Sequence, residues 1–412
     1  MELFENWQET KETLLEGLSE SKKKILGPVL ENQMQHLQET AASGTNAAGA
    51  IGNFQKIVIP MIRRIIPGTI ATELVGVQPM SGPVGLVYSL RFLFAEPVVT
   101  TALPGTLNGG AGDDIGANDE VFANNSKTKR FYSTADAPVP AGGPAPGTST
   151  GVASATSDYE AYGGRAMTLE VLKQTVTAGS RKLQARWTPE AMQDLKASHG
   201  LDLEAEITAS LSAAVVSEID NEIINDLIAL AGTTDSFDMA GAFTGVPNYV
   251  GDRHAVLGVL INKVSNEIAR KTRRGPANWI VVSPLVVSVL QSASKSVFAP
   301  AVAGSFDGPN NTRLVGTLNG AIKVYTYIYH DQGTEPILMG FKGGSGEMDS
   351  GYFYCPYIPL MSSGVVVDPN SFNPHVSLMT RYGKATFTSS ATSLGNSADY
   401  YGRISVANLS FV

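Results

Sequence analysis

The residues that come nearest to a catalytic motif are Gly147, Ser149 and Gly151. Their G-x-S-x-G spacing is that of a nucleophile elbow, in which a serine lies on a sharp turn between an apolar strand and a helix. Here the motif stands in AGGPAPGTSTGVASATS, which contains no strand-like or helix-like flank. The context therefore favours a loop serine. A hydrolase that uses Ser149 is the enzymatic alternative, and it predicts ester turnover that is lost in Ser149→Ala.

Metal and cofactor motifs are missing from the sequence. No pair at metal-ligand spacing occurs among the five histidines, which are His36, His199, His254, His330 and His375. Neither a G-x-x-x-x-G-K-[ST] loop nor a G-x-G-x-x-G run after a strand occurs. One acidic group lacks the alternating spacing of a calcium loop and is interpreted as solvated: Asp113, Asp114, Asp119 and Glu120. We therefore predict no metal and no cofactor.

Two basic clusters stand between apolar residues, at Arg63-Arg64 and at 270–274. A solvated or helix-capping role accounts for them, since cations are favoured at the carboxyl end of a helix. The alternative is ion pairing with carboxylates of a neighbouring subunit, which applies if the chain assembles.

The elements that must position these groups are organised around residues 180–231, which predict two consecutive helices. Thr188 is a good N-cap for the first helix, and Gly200 is a typical left-handed stop. Asp202 caps a second helix that contains no glycine or proline before Gly232, which makes it about 45 Å long.

Apolar residues follow this long helix at a spacing of four: Leu203, Ile207, Leu211, Val215, Ile219, Ile223 and Leu227. Because a step of four residues advances about 40° around a helix, the stripe spirals and its two ends are expected to pack on different layers. The polar face carries no base and six acids: Glu204, Glu206, Glu218, Asp220, Glu222 and Asp226. We expect this acidic face to lie in solvent or to meet basic residues of a neighbouring subunit.

Composition limits the class of protein. The 412 residues, 43% of them hydrophobic, suffice for two or three domains, and a net charge of −8 argues against a dedicated nucleic-acid-binding protein. The single cysteine, Cys355, excludes an intrachain disulfide and is interpreted as a buried strand thiol. No apolar run approaches a membrane span and the acidic N-terminus lacks a signal-peptide pattern, so a cytoplasmic protein is expected.

The N-terminal third divides into segments of different composition. Residues 1–39 form an amphipathic unit of two helices separated at Gly27-Pro28, with eight acids and four lysines. Residues 40–53 are a small-residue linker that is open to proteases, and four prolines favour an extended arm through residue 85. Strand-like residues 86–94 and 167–176 flank a low-complexity segment at 97–163, which predicts a long two-stranded extension.

After the long helix the pattern is α/β. We predict a helix at 252–274, a buried strand at 279–282 and a helix at 284–294. Further strands are predicted at 312–318, 322–329, 337–341, 352–361, 376–381 and 385–389.

Five blocks of the sequence resemble the major capsid proteins of T-even-type tailed bacteriophages. They are VIPMIRRIIPGTIATELVGVQPMSGPVGLVY (58–88), SRKLQARWTPEAMQDLKASHGLDLEAE (180–206), EIARKTRRG with NWIVVSP (267–284), GEMDSGYFYCPYIPL (346–360) and DPNSFNPHVSLMTRYG (368–383). The blocks occur in the family's order and span most of the chain outside residues 97–163 and the extreme termini. The resemblance implies the tailed-phage capsid fold, which is shared with encapsulins and the herpesvirus capsid floor.

This fold implies an α+β chain with six parts. They are an N-terminal helical segment (1–39), an N-terminal arm (40–85), an extended two-stranded loop (86–178), a peripheral domain with a long spine helix (179–232), an axial α/β domain (233–365) and C-terminal strands that return to the peripheral domain (366–412). The extended loop is shorter than in larger family members and leaves no room there for a folded insertion domain.

The function implied is self-assembly of hexameric capsomers into the icosahedral head shell around double-stranded DNA. The chain is then a virion protein assembled in the bacterial host cytoplasm. Its implied partners are further copies of itself, vertex and portal proteins, scaffold and a maturation protease, with only non-specific contact to packaged DNA and none to a membrane.

Maturation proteases of this family cut after Glu in a Leu/Ile-x-Glu context, and Leu37-Gln38-Glu39 before Thr40 fits that pattern. If the chain is not cut, residues 1–39 would line the shell interior. Contacts between subunits are expected from eight charged residues: Arg63, Arg64, Arg181, Arg186, Glu218, Glu222, Arg273 and Arg274. No catalytic residue is predicted.

Two alternatives share the implied fold. The first is the shell of an encapsulin-like nanocompartment, which genome neighbours or a cargo-tail peptide would identify. The second is a pentameric vertex paralogue of the same capsid family, which the sequence alone does not separate from the hexamer-forming protein.

Overall fold

The computed structural model describes thirteen stretches of the chain. They are residues 7–18, 20–42, 69–94, 167–200, 202–239, 250–272, 274–292, 298–300, 312–327, 335–343, 349–368, 371–387 and 396–409. The helices are α1 (Trp7–Leu15), α2 (Glu20–Ala42), α3 (Ala71–Leu74), α4 (Pro189–His199), α5 (Leu203–Leu230), α6 (Val250–Thr272) and α7 (Pro284–Ser292), with a 3₁₀ turn at Ser397–Tyr400.

The strands form three sheets. In chain order they are β1 (Gly76–Val77), β2 (Val84–Phe94), β3 (Met167–Thr177), β4 (Gly179–Arg186), β5 (Thr233–Asp238), β6 (Trp279–Val282), β7 (Phe298–Pro300), β8 (Thr312–Leu318), β9 (Ile322–Tyr327), β10 (Glu335–Gly340), β11 (Tyr352–Ser362), β12 (Val366–Val367), β13 (Pro374–Thr386) and β14 (Tyr401–Ala407). One sheet has the order β1-β11-β13-β12, with β4 on the other edge of β13. A second has the order β5-β14-β10-β6-β9-β8-β7, and β2 and β3 pair as a separate two-stranded ribbon.

The long helix α5, the spine helix, lies between the two larger sheets. Its buried residues Val216, Ile219 and Ile223 share one core with Tyr325 of the seven-stranded sheet and Leu378 of the five-stranded sheet. The other face of the seven-stranded sheet packs on α6 and α7 in a second core. The apolar stripe thus contacts both sheets, and the packing of its two ends on different layers stays a prediction.

The caps of the two central helices also form as predicted. The Thr188 side chain accepts a hydrogen bond from the Ala191 N–H, and Gly200 ends α4 with a φ of 65°. The Asp202 side chain accepts one from the Glu204 N–H at the start of α5. The predicted α+β class, with an extended two-stranded loop, a spine-helix unit and an α/β unit, is confirmed by this architecture.

The predicted helix break at Gly27-Pro28 is wrong, because α2 runs through it as one helix of 23 residues. Proline inside a helix removes a hydrogen bond and crowds the preceding turn. The helix continues because apolar residues on both sides of Pro28 are buried together in the core around α5: Ile25, Leu26, Val29 and Leu30. Residues 20–35 are therefore part of the main core rather than a separate unit.

Three sheet predictions differ from the structure. Residues 376–381 and 385–389 were expected as two strands, whereas β13 runs unbroken through Gly383. Strand β11 falls within the predicted axial span 233–365, yet it pairs with β13 in the five-stranded sheet. Strand β14 falls within the predicted returning span 366–412, yet it lies between β5 and β10 in the seven-stranded sheet. These pairings join residues far apart in sequence, which local patterns do not encode.

Candidate assembly interface

The β2–β3 ribbon presents an apolar face to solvent. Alternation along β2 places Leu86, Tyr88 and Phe92 on one face, and cross-strand pairing adds Leu169 and Val171 of β3. These side chains are 39–54% exposed. A contiguous apolar face of this kind marks an interaction surface.

The opposite face of the ribbon is anchored in its own chain. Val87 and Val176 are 2% exposed and pack in a small core with Met80, Phe353 and Cys355. Cys355 is fully buried, and burial raises the pKa of its thiol to about 12. The base of the ribbon is therefore fixed to the five-stranded sheet, and one apolar face remains open.

The acidic face of α5 meets basic residues of the same chain. Arg181 on β4 lies between two carboxylates, with its nitrogens 2.7 Å from Glu218 Oε2 and 2.6 Å from Glu222 Oε2. Lys384 on β13 is 2.9 Å from Glu222 Oε1 and 2.6 Å from Asp226 Oδ2. The five-stranded sheet is thus clamped to the spine helix by alternating charges.

Two tyrosines complete this network. Tyr382 donates to Glu222, and Tyr352 donates to Asp226 at 2.9 Å. Burial alone would raise the pKa of Glu222, but hydrogen bonds from Tyr382 and Lys384 and the charges of Lys384 and Arg181 outweigh it, so this pKa is lowered. The pKa of Tyr352 is raised by burial and by the charge of Asp226.

The expectation that the acidic face lies in solvent is wrong for part of α5. Asp220 is fully buried, and one carboxyl oxygen accepts a hydrogen bond from the Ile70 N–H at 2.9 Å. Burial raises the pKa of Asp220 to about 8, although the Ile70 hydrogen bond lowers it in part. The reason is visible in the spacing, because Asp220 stands four residues after Val216 and three before Ile223 on the buried stripe.

Of the remaining predicted contact residues, the structure describes Arg186 and Arg274. Arg186 at the end of β4 is exposed, and Arg274 forms an ion pair with Asp349 within the chain. Arg63, Arg64 and Arg273 lie outside the described residues. The structure therefore brings Arg181, Glu218 and Glu222 together and leaves Arg186 and Arg274 apart from them.

The predicted cleavage point lies at the end of α2. Glu39 and Thr40 belong to the last turn of this helix, which ends at Ala42. Upstream, the Asn32 side chain donates to the Met80 carbonyl at 2.7 Å, and Lys22 lies 3.5 Å from Glu73. The segment before the cleavage point is therefore held by polar contacts as well as by apolar packing.

Among the residues that it describes, the structure adds no support for the enzymatic or the metal-binding alternative. Ser149 and its motif lie outside the described residues. His254 is buried, with its Nδ1 2.6 Å from Ser292 Oγ, in the contact between α6 and α7. Within the described stretches, no three His, Cys, Asp or Glu residues are grouped to hold a metal ion, and no helix is long and apolar enough to cross a membrane.

Sequence reasoning missed several members of the clamp, namely Lys384, Tyr382 and Tyr352. They lie 126–162 residues from their partners on α5, so no local pattern connects them. The burial of Asp220 could have been found from its place on the apolar stripe.

Known proteins with similar sequences are capsid proteins. A profile of the family described as Major capsid protein Gp23 matches residues 51–406. The major capsid protein of Vibrio phage KVP40 is 31% identical, over 97% of this chain and 96% of that protein. The major capsid protein of Enterobacteria phage T4 is 27% identical, over 93% of this chain and 90% of that protein.

Solved structures also show similarity. The capsid of Myoviridae phage XM1 covers 80% of this chain and 90% of its own, with 10% identity and a TM-score of 0.40. A chain from Microbacterium phage Oxtober96 covers 82% and 91%, with 13% identity and a TM-score of 0.44. The match to the family profile and the similarity to the Vibrio phage protein establish the relationship: this chain belongs to the Gp23 major capsid protein family.

Proposed function

We propose that this chain builds the icosahedral head shell of a tailed phage and that the β2–β3 ribbon is its principal contact between subunits. Membership of the Gp23 family supports the shell function. The apolar face of the ribbon is the single observation that carries the contact, because its side chains stay in water in an isolated subunit. A neighbouring subunit that covers these side chains removes their apolar surface from water, which is favourable.

Repetition makes such a contact effective. One ribbon covers little area, but in a closed ring every subunit both gives and receives the same contact. Modest individual contacts then become collectively strong, because each further contact forms within an existing assembly. We propose hexameric capsomers in which the unit built on the seven-stranded sheet, which is the predicted axial unit without β11 and with β14 added, faces the six-fold and five-fold axes.

The arm at residues 54–85 supplies a second contact in this proposal. Arg63 and Arg64 contact carboxylates of an adjacent subunit, and Arg186 and Arg273 add further contacts between subunits, whereas Arg274 pairs with Asp349 of its own chain. Arg181, Glu218 and Glu222 act differently, because they pair within the chain and hold the strand that leads from the ribbon against the spine helix. We expect Arg63→Glu with Arg64→Glu to block shell formation and to leave a folded subunit.

Cleavage after Glu39 fits the same function. A protease requires an extended substrate, and the last turn of α2 is the part of that helix that opens at least cost. Vertex and portal proteins, scaffold and the maturation protease are the proposed partners, and packaged DNA is contacted only non-specifically. We further infer a structural, non-catalytic role and assembly in the host cytoplasm, and the acidic net charge of the chain suits a wall that does not adhere to DNA.

Electron microscopy with mass photometry tests the ribbon contact. The variant carries Phe92→Lys with Val171→Lys, and the matched control carries Val367→Lys, which changes a 48% exposed valine on β12. We expect shells or capsomers from the unmodified chain and from the control, but folded single subunits from the ribbon variant. Assembly of the ribbon variant at the control level would overturn the proposed contact.

A further inference from the structure

The face of the five-stranded sheet that points away from the spine helix carries a row of cations. Successive residues of a strand point to opposite faces. Arg181 reaches Glu218 and Glu222 on α5, so its neighbours on β4 point away from that helix. Lys182 and Arg186 are therefore on the far face, and both are exposed.

Strand β13 extends this row. Its unshifted register with β4 places His375 opposite Arg186 and Arg381 opposite Ser180, on the same far face. The Arg381 guanidinium lies over the Tyr357 ring, 5.3 Å from its centre, which fixes its position. We name this surface the basic face, and it consists of the cations Lys182, Arg186 and Arg381 together with the ring of His375.

The basic face has no balancing acid on its own strands. The four residues between its members on this face are Ser180, Gln184, Ser377 and Met379. Among the described residues, neither Lys182 nor Arg186 forms an ion pair. The chain as a whole has a net charge of −8, whereas this exposed surface carries only positive charges. Such a surface favours an acidic partner.

We propose that the basic face binds the acidic segment 113–120, DDIGANDE, of a second copy of this chain. The inference rests on the proposed shell function, and it gives a role to an acidic cluster that has no calcium-loop spacing. The segment lies outside the described residues and enters here through its sequence alone.

The lengths of the two partners match. Along β4 and β13 the row extends over six residues, from the Ser180–Arg381 pair to the Arg186–His375 pair, which is about 20 Å at the rise of a strand. Six residues separate Asp114 from Glu120, and an extended chain of that length also spans about 20 Å. An acidic pair at each end of the segment can therefore meet cations at each end of the row.

The other side of the sheet is an unsuitable site for this segment. The carboxylates of α5 there would repel it, and their cations Arg181 and Lys384 are already paired. Basic residues follow the segment at 127–130, beginning seven residues after Glu120. In the proposed pairing they would lie beyond the end of the basic face. Charge thus specifies both the face and the part of the loop.

Charge exchange tests the pairing. The face variant carries Lys182→Glu with Arg186→Glu, and the segment variant carries lysine at positions 113, 114, 119 and 120. Each alone is expected to reduce the assembled fraction about tenfold or more, because like charges then face each other. Combining the two sets restores opposite charges and is expected to restore assembly. Lys196→Glu, an exposed reversal on α4, is the matched control and should leave assembly unchanged.

The outcomes separate this inference from the proposed function. A wild-type chain that stays monomeric at every salt concentration overturns both. Normal assembly of the face variant overturns the basic-face contact and leaves the shell function intact. Loss without rescue in the combined variant overturns the segment as the occupant. The unfolding midpoint of every variant shows whether that variant is folded. A neutral variant, Lys182→Gln with Arg186→Gln, removes the two cations without adding acids.

Discussion

The backbone N–H of Ile70 donates a hydrogen bond to the fully buried carboxyl of Asp220, with 2.9 Å between nitrogen and oxygen. This contact ties the residue that precedes α3 to the middle of the spine helix. The second carboxyl oxygen has no hydrogen-bond partner among the described residues. A carboxyl in such surroundings retains its proton, and its pKa is raised to about 8 by burial.

Asp220 makes the stability of the chain depend on pH. An unfolded aspartate loses its proton near pH 4, whereas the folded chain holds it until about pH 8, so the free energy of unfolding falls as pH rises between these values. Asp220→Asn keeps an acceptor for Ile70 and removes this dependence. Relative to the wild type, we expect the variant to gain on the order of 5 kcal/mol between pH 4 and pH 8.

Urea unfolding at a series of pH values measures this gain. Asp194→Asn, at an exposed position on α4, is the control and should follow the wild type. If the free energy of unfolding depends on pH in the same way for Asp220→Asn and wild type, the folded carboxyl is ionised at neutral pH and the prediction is wrong.

Arg181→Met tests the clamp between the five-stranded sheet and the spine helix. It keeps an apolar stem and removes both ion pairs, with Glu218 and Glu222. Because these side chains are 26–42% exposed, we expect a loss of only about 1 kcal/mol, smaller in high salt. The pKa of Glu222 is lowered in the folded chain, so the loss should be complete above about pH 4.5 and vanish as pH falls through the lowered value.

Chemical denaturation at low and high salt gives this measurement. Lys182→Gln is the matched control, because Lys182 is the next residue on the same strand but points away from the helix. An equal loss in both variants, or a loss that salt does not alter, would contradict the clamp.

Leu26→Ala and Leu30→Ala test whether α2 belongs to the main core. Both side chains are at most 1% exposed, and each truncation should lower the free energy of unfolding by about 2–5 kcal/mol. Lys24→Ala, at an exposed position of the same helix, should change it little. If neither leucine variant is destabilised in thermal or urea unfolding, the helix does not contribute to the core in solution.

The sequence predicts best those elements whose signals are local. The caps at Thr188 and Asp202 and the stop at Gly200 define α4 and α5 almost to the residue. The two-stranded ribbon is also recovered from strand-like runs on either side of a low-complexity segment. Such signals depend only on neighbouring residues, which is why they can be recognised without a fold.

What the sequence misses depends on partners that are distant along the chain. Pro28 predicts a helix end, but burial of apolar residues on both sides of it outweighs that preference. The place of β14 in the seven-stranded sheet is set by pairing with β10 and β5. Along β2, apolar residues occupy both faces, and only the structure shows which face its own chain leaves uncovered.

In the proposed shell, neighbouring subunits cover the open face of the ribbon. Hydroxyl-radical footprinting with mass spectrometry tests it most directly, by comparing intact particles with dissociated subunits. Tyr88 and Phe92, which are 39% and 47% exposed in the single chain, should be oxidised severalfold more slowly in particles, while fully buried Tyr401 stays protected in both states. Equal oxidation of Tyr88 and Phe92 in particles and subunits would contradict the account.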